Sequence, residues 1–160
     1  MSAEDLAHEH YLRALELEAA DRKAARAAYE ACLAGDCRHL EARINLGRVL
    51  HLEGFHEDAE RIYRDTDELD ATLFFNLAVL MGDIGRDAEA TKLYRQAIVH
   101  DPGMADAHFN LSLLLERAGD GQNAYRHLLA YHRLTEAHKA PAEFAEDDTL
   151  GQIARAELDL

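Results

Sequence analysis

The ten histidines are the residues of this sequence whose number most suggests chemistry, because an imidazole nitrogen is a common metal ligand. Two histidines on one helix hold a metal ion when they lie three or four residues apart, on the same face. The closest pairs are spaced by two or five residues instead: His8 and His10, His51 and His56, His127 and His132. We therefore predict no metal site and no cofactor, and interpret the histidines as surface residues. A metal site assembled across several helices is the alternative.

Catalytic side chains form no recognisable arrangement in this sequence. Cys32 and Cys37 are its two cysteines, too few and too close together for a disulfide framework. We find no serine–histidine–aspartate set, glycine-rich phosphate loop or paired-carboxylate motif, and the acidic residues follow the exposed faces expected of helices. We therefore predict that the protein is not an enzyme.

The charge of the chain restricts its partners. A formal net charge of -14 at pH 7 disfavours binding to the phosphates of nucleic acids and to anionic lipid. No apolar run approaches the length that spans a bilayer, and Glu4 and Asp5 stand where a secretion signal needs basic residues. We predict no nucleic-acid partner, no membrane partner and a cytoplasmic location.

The elements that position these side chains are predicted to be helices, which makes the fold all-α. Ala, Leu, Glu and Arg dominate, and no alternating β-branched run predicts a strand. One short pattern occurs three times, as Ile44-Asn45-Leu46-Gly47, Phe75-Asn76-Leu77-Ala78 and Phe109-Asn110-Leu111-Ser112. Eight residues after the Leu of each copy comes a glycine, and five residues later an alanine: Gly54 and Ala59, Gly85 and Ala90, Gly119 and Ala124.

This pattern resembles the tetratricopeptide repeat, a helical hairpin with a period of about 34 residues. The resemblance implies a right-handed superhelical solenoid of about four helix–turn–helix hairpins, in which the glycine ends the first helix and the alanine lets the second helix pack closely. We predict an N-terminal tail at 1–5, a repeat domain at 6–138 and a capping helix or tail at 139–160. The repeats of that domain are 6–39, 40–70, 71–104 and 105–138.

Three repeats depart from the regular pattern. Repeat one has Ala20 in place of the turn glycine, and repeat two is three residues short, which predicts that its second helix ends early, from Arg64 onward. Repeat four carries Tyr131 where a small residue is usual. Beyond the repeats, apolar residues from Leu150 onward fall near one face of a helix, which we interpret as a cap over the end of the stack. The alternative is a segment that swings away or fills the groove of its own chain.

The same resemblance assigns one face of each hairpin's first helix to a concave groove. It predicts a partner-binding site of apolar residues, asparagines and two arginines: Ile44, Asn45, Arg48, Phe75, Asn76, Val79, Phe109, Asn110, Leu113 and Arg117. Other residues at groove-facing places include Ala14, Asp83, Asp106 and Glu116. Aromatic and apolar side chains give affinity for a peptide or helix, and side-chain amides hold an extended backbone. The alternative interpretation places the two phenylalanines in the core and leaves the asparagines structural and the arginines solvated.

We predict from this groove a protein–protein interaction module with a protein or peptide partner. Members of the family that grip acidic C-termini use Lys, Asn and Arg on successive helices to bind the carboxylates of the partner. At the corresponding places of repeats one to three, only Asn45 matches, so the cations that would pair with those carboxylates are missing. Ala107-His108-Phe109-Asn110-Leu111 is similar to bacterial repeat domains that accompany transcription regulators. The alternatives are a secretion-type chaperone for hydrophobic segments, a structural solenoid that forms a homo-oligomer, and a metal-handling protein.

Overall fold

The computed structural model describes residues 2–36 and 38–139, and these residues form eight helices and no strand. The helices are α1 (Ala3–Leu17), α2 (Arg22–Gly35), α3 (Leu40–Leu52), α4 (His56–Arg64), α5 (Ala71–Asp83), α6 (Asp87–His100), α7 (Ala105–Arg117) and α8 (Gly121–Lys139). Consecutive helices pair as four hairpins, and α3 also contacts α5. The predicted all-α solenoid of hairpins is confirmed. The predicted capping helix lies outside the described residues.

Helix α1 begins earlier than the sequence predicts. The Ser2 hydroxyl accepts a hydrogen bond from the Asp5 backbone N–H at 3.1 Å, and the Asp5 carboxylate accepts one from the Ser2 N–H at 2.8 Å. Such a reciprocal pair satisfies backbone donors that a helix start leaves without partners. The same bonds hold the pKa of the Asp5 carboxyl below its usual value. The predicted tail of 1–5 is therefore wrong from Ala3 onward.

Glycine closes three of the turns between paired helices. Gly54, Gly85 and Gly119 have φ values of 85°, 79° and 80°. That left-handed conformation is without steric cost for glycine. The residue after each glycine then donates its N–H to a carbonyl five residues back, as Phe55 does to Leu50 at 2.9 Å. This bond satisfies the end of the first helix and sets the direction of the second.

The first hairpin turns without such a glycine. Four residues separate α1 from α2, whereas three separate α3 from α4. Within this longer turn the N–H groups of Ala20 and Asp21 both donate to the Leu17 carbonyl. The extra residue shifts the register of α1 relative to the other first helices. Ala14, which a fixed repeat spacing places on the groove face, is fully buried as a consequence.

The core runs along the stack where small residues of one helix meet tyrosines of another. Alanines at one place of the second helices and tyrosines four residues later are all buried: Ala25 and Tyr29, Ala59 and Tyr63, Ala90 and Tyr94. The tightest approach is at Gly47, where an added Cβ would lie 2.4 Å from the Tyr63 ring. The first and second helices of repeat two can therefore pack this closely only because residue 47 is a glycine.

A buried arginine caps the shortened second helix of repeat two. Helix α4 ends at Arg64, as the missing residues predict. The Arg43 side chain of α3, which is 5% exposed, donates at 3.1 Å to the Ile62 carbonyl and pairs at 3.1 Å with Asp65. A carbonyl in the last turn of a helix has no partner within the helix, so the guanidinium satisfies a group that the early ending exposes.

The corresponding place in repeat four holds a buried histidine. His108 is 9% exposed, and its Nδ1 lies 3.0 Å from Nδ1 of His127 while its Nε2 lies 3.3 Å from the Pro102 carbonyl. Burial lowers the pKa of the His127 imidazole, and the charges of His108 and Arg95 lower it further. The prediction that the histidines are surface residues is therefore wrong for His108, which packs between α7 and α8.

Candidate protein-binding groove

Two hollows lie side by side along the first helices of repeats two to four. Their volumes are ≈ 580 Å³ on the side of α3 and ≈ 250 Å³ on the side of α7. Val79 and Asp83 of α5 line both hollows, so the two adjoin and form one groove. The predicted site residues that line this groove are Arg48, Phe75, Asn76, Val79, Asn110, Leu113 and Arg117.

The part of the groove formed by α5 and α7 presents apolar side chains to solvent. Phe75 and Val79 are half-buried, and Leu113 is 43% exposed. The edge of the Phe75 ring meets the Tyr94 ring at a centroid distance of 5.7 Å, which fixes its orientation. We call this part the open half and define it by Phe75, Asn76, Val79, Asp83, Asn110, Leu113 and Arg117.

Three of the predicted site residues line neither hollow. Ile44 is 9% exposed and belongs to the core, so its prediction as an open groove residue is wrong. Its neighbour Asn45 hydrogen-bonds Tyr11 of α1, which places α1 against this part of α3. Phe109 is 37% exposed, and its ring lies against Tyr131 with the centroids 5.1 Å apart. The unusual tyrosine of repeat four thus completes an aromatic pair on the last described hairpin.

The asparagines of the three repeats have different partners. Asn45 bonds across to α1, and Asn110 bonds across to the Tyr94 hydroxyl of α6. Burial raises the pKa of Tyr94 to about 12, so its hydroxyl keeps its proton at neutral pH. Asn76 instead donates its amide to the Thr72 carbonyl of its own helix at 2.9 Å. Among these three, Asn76 is the asparagine with no recorded bond to a neighbouring repeat in the described structure.

Polar side chains cross the groove face between α1 and α3. The Glu18 carboxylate accepts hydrogen bonds from the Arg48 guanidinium and from the Tyr29 hydroxyl. Burial and the adjacent carboxylate raise the pKa of Tyr29, so its phenol stays a donor. Together with the bond between Tyr11 and Asn45, these contacts occupy the polar groups on this face. We call Tyr11, Glu18, Asn45 and Arg48 the closed half.

Arg48, His51 and Arg117 of the groove each lie beside a carboxylate of the same chain. Nη2 of Arg117 lies 3.1 Å from Oδ2 of Asp87, and Nε2 of His51 lies 2.9 Å from Oδ2 of Asp83. Arg48 is paired with Glu18 in the closed half. The two predicted groove arginines are thus ion-paired within the chain.

Two contributors to this site were missed in the sequence. Glu18 lies in the irregular first turn, outside the repeated pattern, so no periodic signal marks it. Tyr94 was recognisable as a large core residue, and a buried phenol requires a hydrogen-bond partner. The identity of that partner, Asn110, depends on how one repeat stacks on the next. A local motif does not contain that information.

The described residues carry neither of two further kinds of site. Side chains of His, Cys, Asp and Glu in this part of the chain do not gather in groups of three or more that suit a metal ion. Nor does any helix within 2–36 or 38–139 combine the length and the apolar character needed to cross a membrane.

Comparison with known proteins gives relatives of one architecture. The chain is 31% identical over 113 residues to a tetratricopeptide repeat and J domain-containing co-chaperone, DNJ1, of Cryptococcus neoformans. That match covers 69% of this chain and 21% of the relative, so the chain spans about a fifth of the co-chaperone's length. No model of a protein family matches the chain.

Solved structures extend the comparison to the fold. MamA from Desulfovibrio magneticus RS-1 superimposes with a TM-score of 0.72 at 17% identity, over 84% of this chain and 78% of that one. A tetratricopeptide repeat protein from Parabacteroides merdae superimposes with a TM-score of 0.69 at 16% identity, over 82% of this chain and 54% of the other. At these identities the likeness is one of fold.

Proposed function

We propose that this chain, which belongs to the tetratricopeptide repeat proteins by its repeated motif and its fold, binds a segment of another protein in the open half of its groove. The observation that carries the proposal is the run of solvent-accessible apolar side chains across α5 and α7, formed by Phe75, Val79 and Leu113. Exposed apolar surface inside a concave site is typical of a surface that a partner covers.

The geometry supports a specific division of roles among these residues. Apolar side chains of the partner enter the two hollows and remove Phe75, Val79 and Leu113 from water. Removing what remains exposed on three such side chains contributes roughly 1 kcal/mol each, and more once partner surface is counted. Asn76, which lines the larger hollow, bonds the backbone of the partner in this proposal and so sets its register.

Affinity capture tests the proposal directly. The tagged full chain is used to purify proteins from its native cell, in parallel with a Phe75→Ala, Leu113→Ser variant and a Val99→Ser control. Val99 is 70% exposed on α6 and lines neither hollow. We expect the chain and the control to retain a common partner that the groove variant loses by about tenfold or more. Equal capture by the groove variant, with thermal melting that shows an intact fold, would contradict the proposal.

A second candidate function is a chaperone that shields hydrophobic segments of its partner. It is favoured by the relative that is named a co-chaperone and by the apolar character of the open half. Co-expression separates the two candidates. A chaperone keeps its partner soluble and the partner precipitates without it, whereas a simple binding module leaves the partner soluble in either case.

The third candidate for the occupant of the groove is a second copy of the same chain. Light scattering of the purified chain over a series of concentrations measures self-association. A monomer at every concentration supports a separate partner protein. Assembly that the Phe75→Ala, Leu113→Ser variant abolishes identifies a second copy of the chain as the occupant instead.

A further inference from the structure

The face of α7 that carries Leu113 of the open half also carries two acidic side chains. Asp106 and Glu116 lie on α7 at spacings of three and four residues with Phe109 and Leu113, so the four side chains share one face of the helix. Both acids are exposed, and neither forms an ion pair with another of the described residues. Asp83 lines both hollows, and its side chain is 61% exposed.

The cationic groups near the same surface are already neutralised within the chain. Arg48 is held by Glu18, and Arg117 lies 3.1 Å from Asp87. His51 also faces a carboxylate, with its Nε2 2.9 Å from Oδ2 of Asp83. The rim of the groove is therefore acidic around an apolar floor, in a chain whose formal net charge is -14.

We propose that the occupant of the open half is a basic amphipathic segment of a partner protein, in which apolar anchors are flanked by Lys or Arg. The inference rests on the proposed function and adds the chemistry of the partner. The apolar anchors cover Phe75, Val79 and Leu113, and the cations face Asp83, Asp106 and Glu116. An acidic segment meets carboxylates of the same sign at this rim and is repelled by them.

The position of the acids explains what each part of the interaction does. Asp106 and Glu116 stand ten residues apart on α7, which is about 15 Å along a helix. They lie on either side of Leu113, so a segment whose apolar anchor sits on Leu113 brings flanking cations close to both. Exposed charges at a rim chiefly speed association and select among partners, while the apolar floor limits dissociation. Binding should therefore weaken as salt screens these charges.

Two matched probe peptides test this inference with the full chain. Both carry leucines at helical spacing, and they differ only in having Lys or Glu at every polar position. Fluorescence anisotropy measures their affinities. We expect the Lys peptide to bind at least about tenfold more tightly than the Glu peptide, and to bind more weakly as salt is added. A Leu113→Ser variant should weaken the Lys peptide by at least about fivefold.

Charge variants then locate the selectivity. Asp106→Asn combined with Glu116→Gln should weaken the Lys peptide about fivefold and should leave thermal stability unchanged. The matched control is Glu57→Gln combined with Glu136→Gln, which removes two exposed acids that stand on α4 and α8 rather than on the face of α7 that carries Leu113. That control should bind the Lys peptide as the parent chain does.

The outcomes separate failure of the inference from failure of the proposed function. Equal or tighter binding of the Glu peptide, still lost in Leu113→Ser, overturns the basic partner and leaves a protein-binding groove. Binding of neither peptide also overturns the basic partner, and affinity capture then decides whether the groove binds protein at all. The control variant could instead weaken binding of the Lys peptide as much as Asp106→Asn combined with Glu116→Gln does. That result would show that the peptide is attracted by net charge alone, and it would overturn the inference.

Discussion

Between α1 and α3, polar side chains bond one another across the groove face, whereas between α5 and α7 apolar side chains remain in contact with solvent. In the closed half, Glu18 bonds both Arg48 and Tyr29, and Asn45 bonds Tyr11. The corresponding face of α5 and α7 has no such network across it among the described residues. The Asn110 amide is directed to the buried Tyr94 beneath the face, and Arg117 pairs with Asp87 of α6.

The difference shows that one repeated hairpin produces two surfaces with different chemistry. A partner that covered the closed half would first have to break bonds that hold α1 to the rest of the stack, which costs free energy without exposing new apolar surface. A partner that covers the open half only removes apolar side chains from water. Binding energy is therefore available in the open half, and the closed half contributes rigidity.

The largest expected effect on the free energy of unfolding comes from a substitution at Gly47 of α3. Gly47→Ala places a Cβ 2.4 Å from the Tyr63 ring, which is 1% exposed. We expect a loss of about 2 to 3 kcal/mol in the free energy of unfolding, measured by urea denaturation.

The control for that substitution is in the open half. Gly82 lies within helix α5, and an added Cβ there meets nothing within 4 Å. Gly82→Ala should leave the free energy of unfolding unchanged or raise it by up to about 1 kcal/mol, because alanine favours the helix. Equal destabilisation by the two substitutions would contradict the difference in packing.

A smaller difference in the free energy of unfolding is expected between variants of the two ion pairs that involve the groove arginines. Glu18→Ala removes a carboxylate that is 21% exposed and serves two donors, so we expect a loss of about 1 to 2 kcal/mol in the free energy of unfolding. Asp87→Ala removes the partner of Arg117 from a pair whose side chains are 62% and 48% exposed, and should cost at most about 0.5 kcal/mol. Thermal or urea unfolding measures both, and equal losses would show that the closed half is not specially cross-linked.

The smallest difference in the free energy of unfolding is expected between variants of two tyrosines at the same place of successive repeats. The Tyr94 hydroxyl bonds Asn110, whereas the Tyr63 hydroxyl is buried without a hydrogen-bond partner among the described residues. Tyr94→Phe should cost about 1 kcal/mol of the free energy of unfolding, and Tyr63→Phe should change it by less than about 0.5 kcal/mol or stabilise the chain slightly. The reverse order would mean that the bond from Asn110 contributes nothing.

The residues that were predictable from the sequence are those whose constraint is local. The glycines that end α3, α5 and α7 are required by a left-handed turn, so three copies at one spacing predicted the hairpins. The early end of α4 followed in the same way from three missing residues. In both cases the physical requirement lies within a few residues of the motif that reveals it.

What the sequence did not reveal depends on contacts between repeats. Ile44, Phe75 and Phe109 occupy the same repeat place, yet their exposures differ because each first helix has different neighbours in the stack. Arg43 satisfies a carbonyl 19 residues away, and Glu18 accepts from an arginine 30 residues away. Such pairings follow from the packing of whole helices, which a repeat alignment does not specify.

Hydrogen–deuterium exchange of the full chain, with and without the partner recovered by affinity capture, tests the central claim most directly. The account predicts slower amide exchange on partner binding in α5 and α7, over 71–83 and 105–117, with α1 unchanged over 3–17. Protection confined to α1 and α2, or to the outer helices α4 and α6, would contradict binding in the open half.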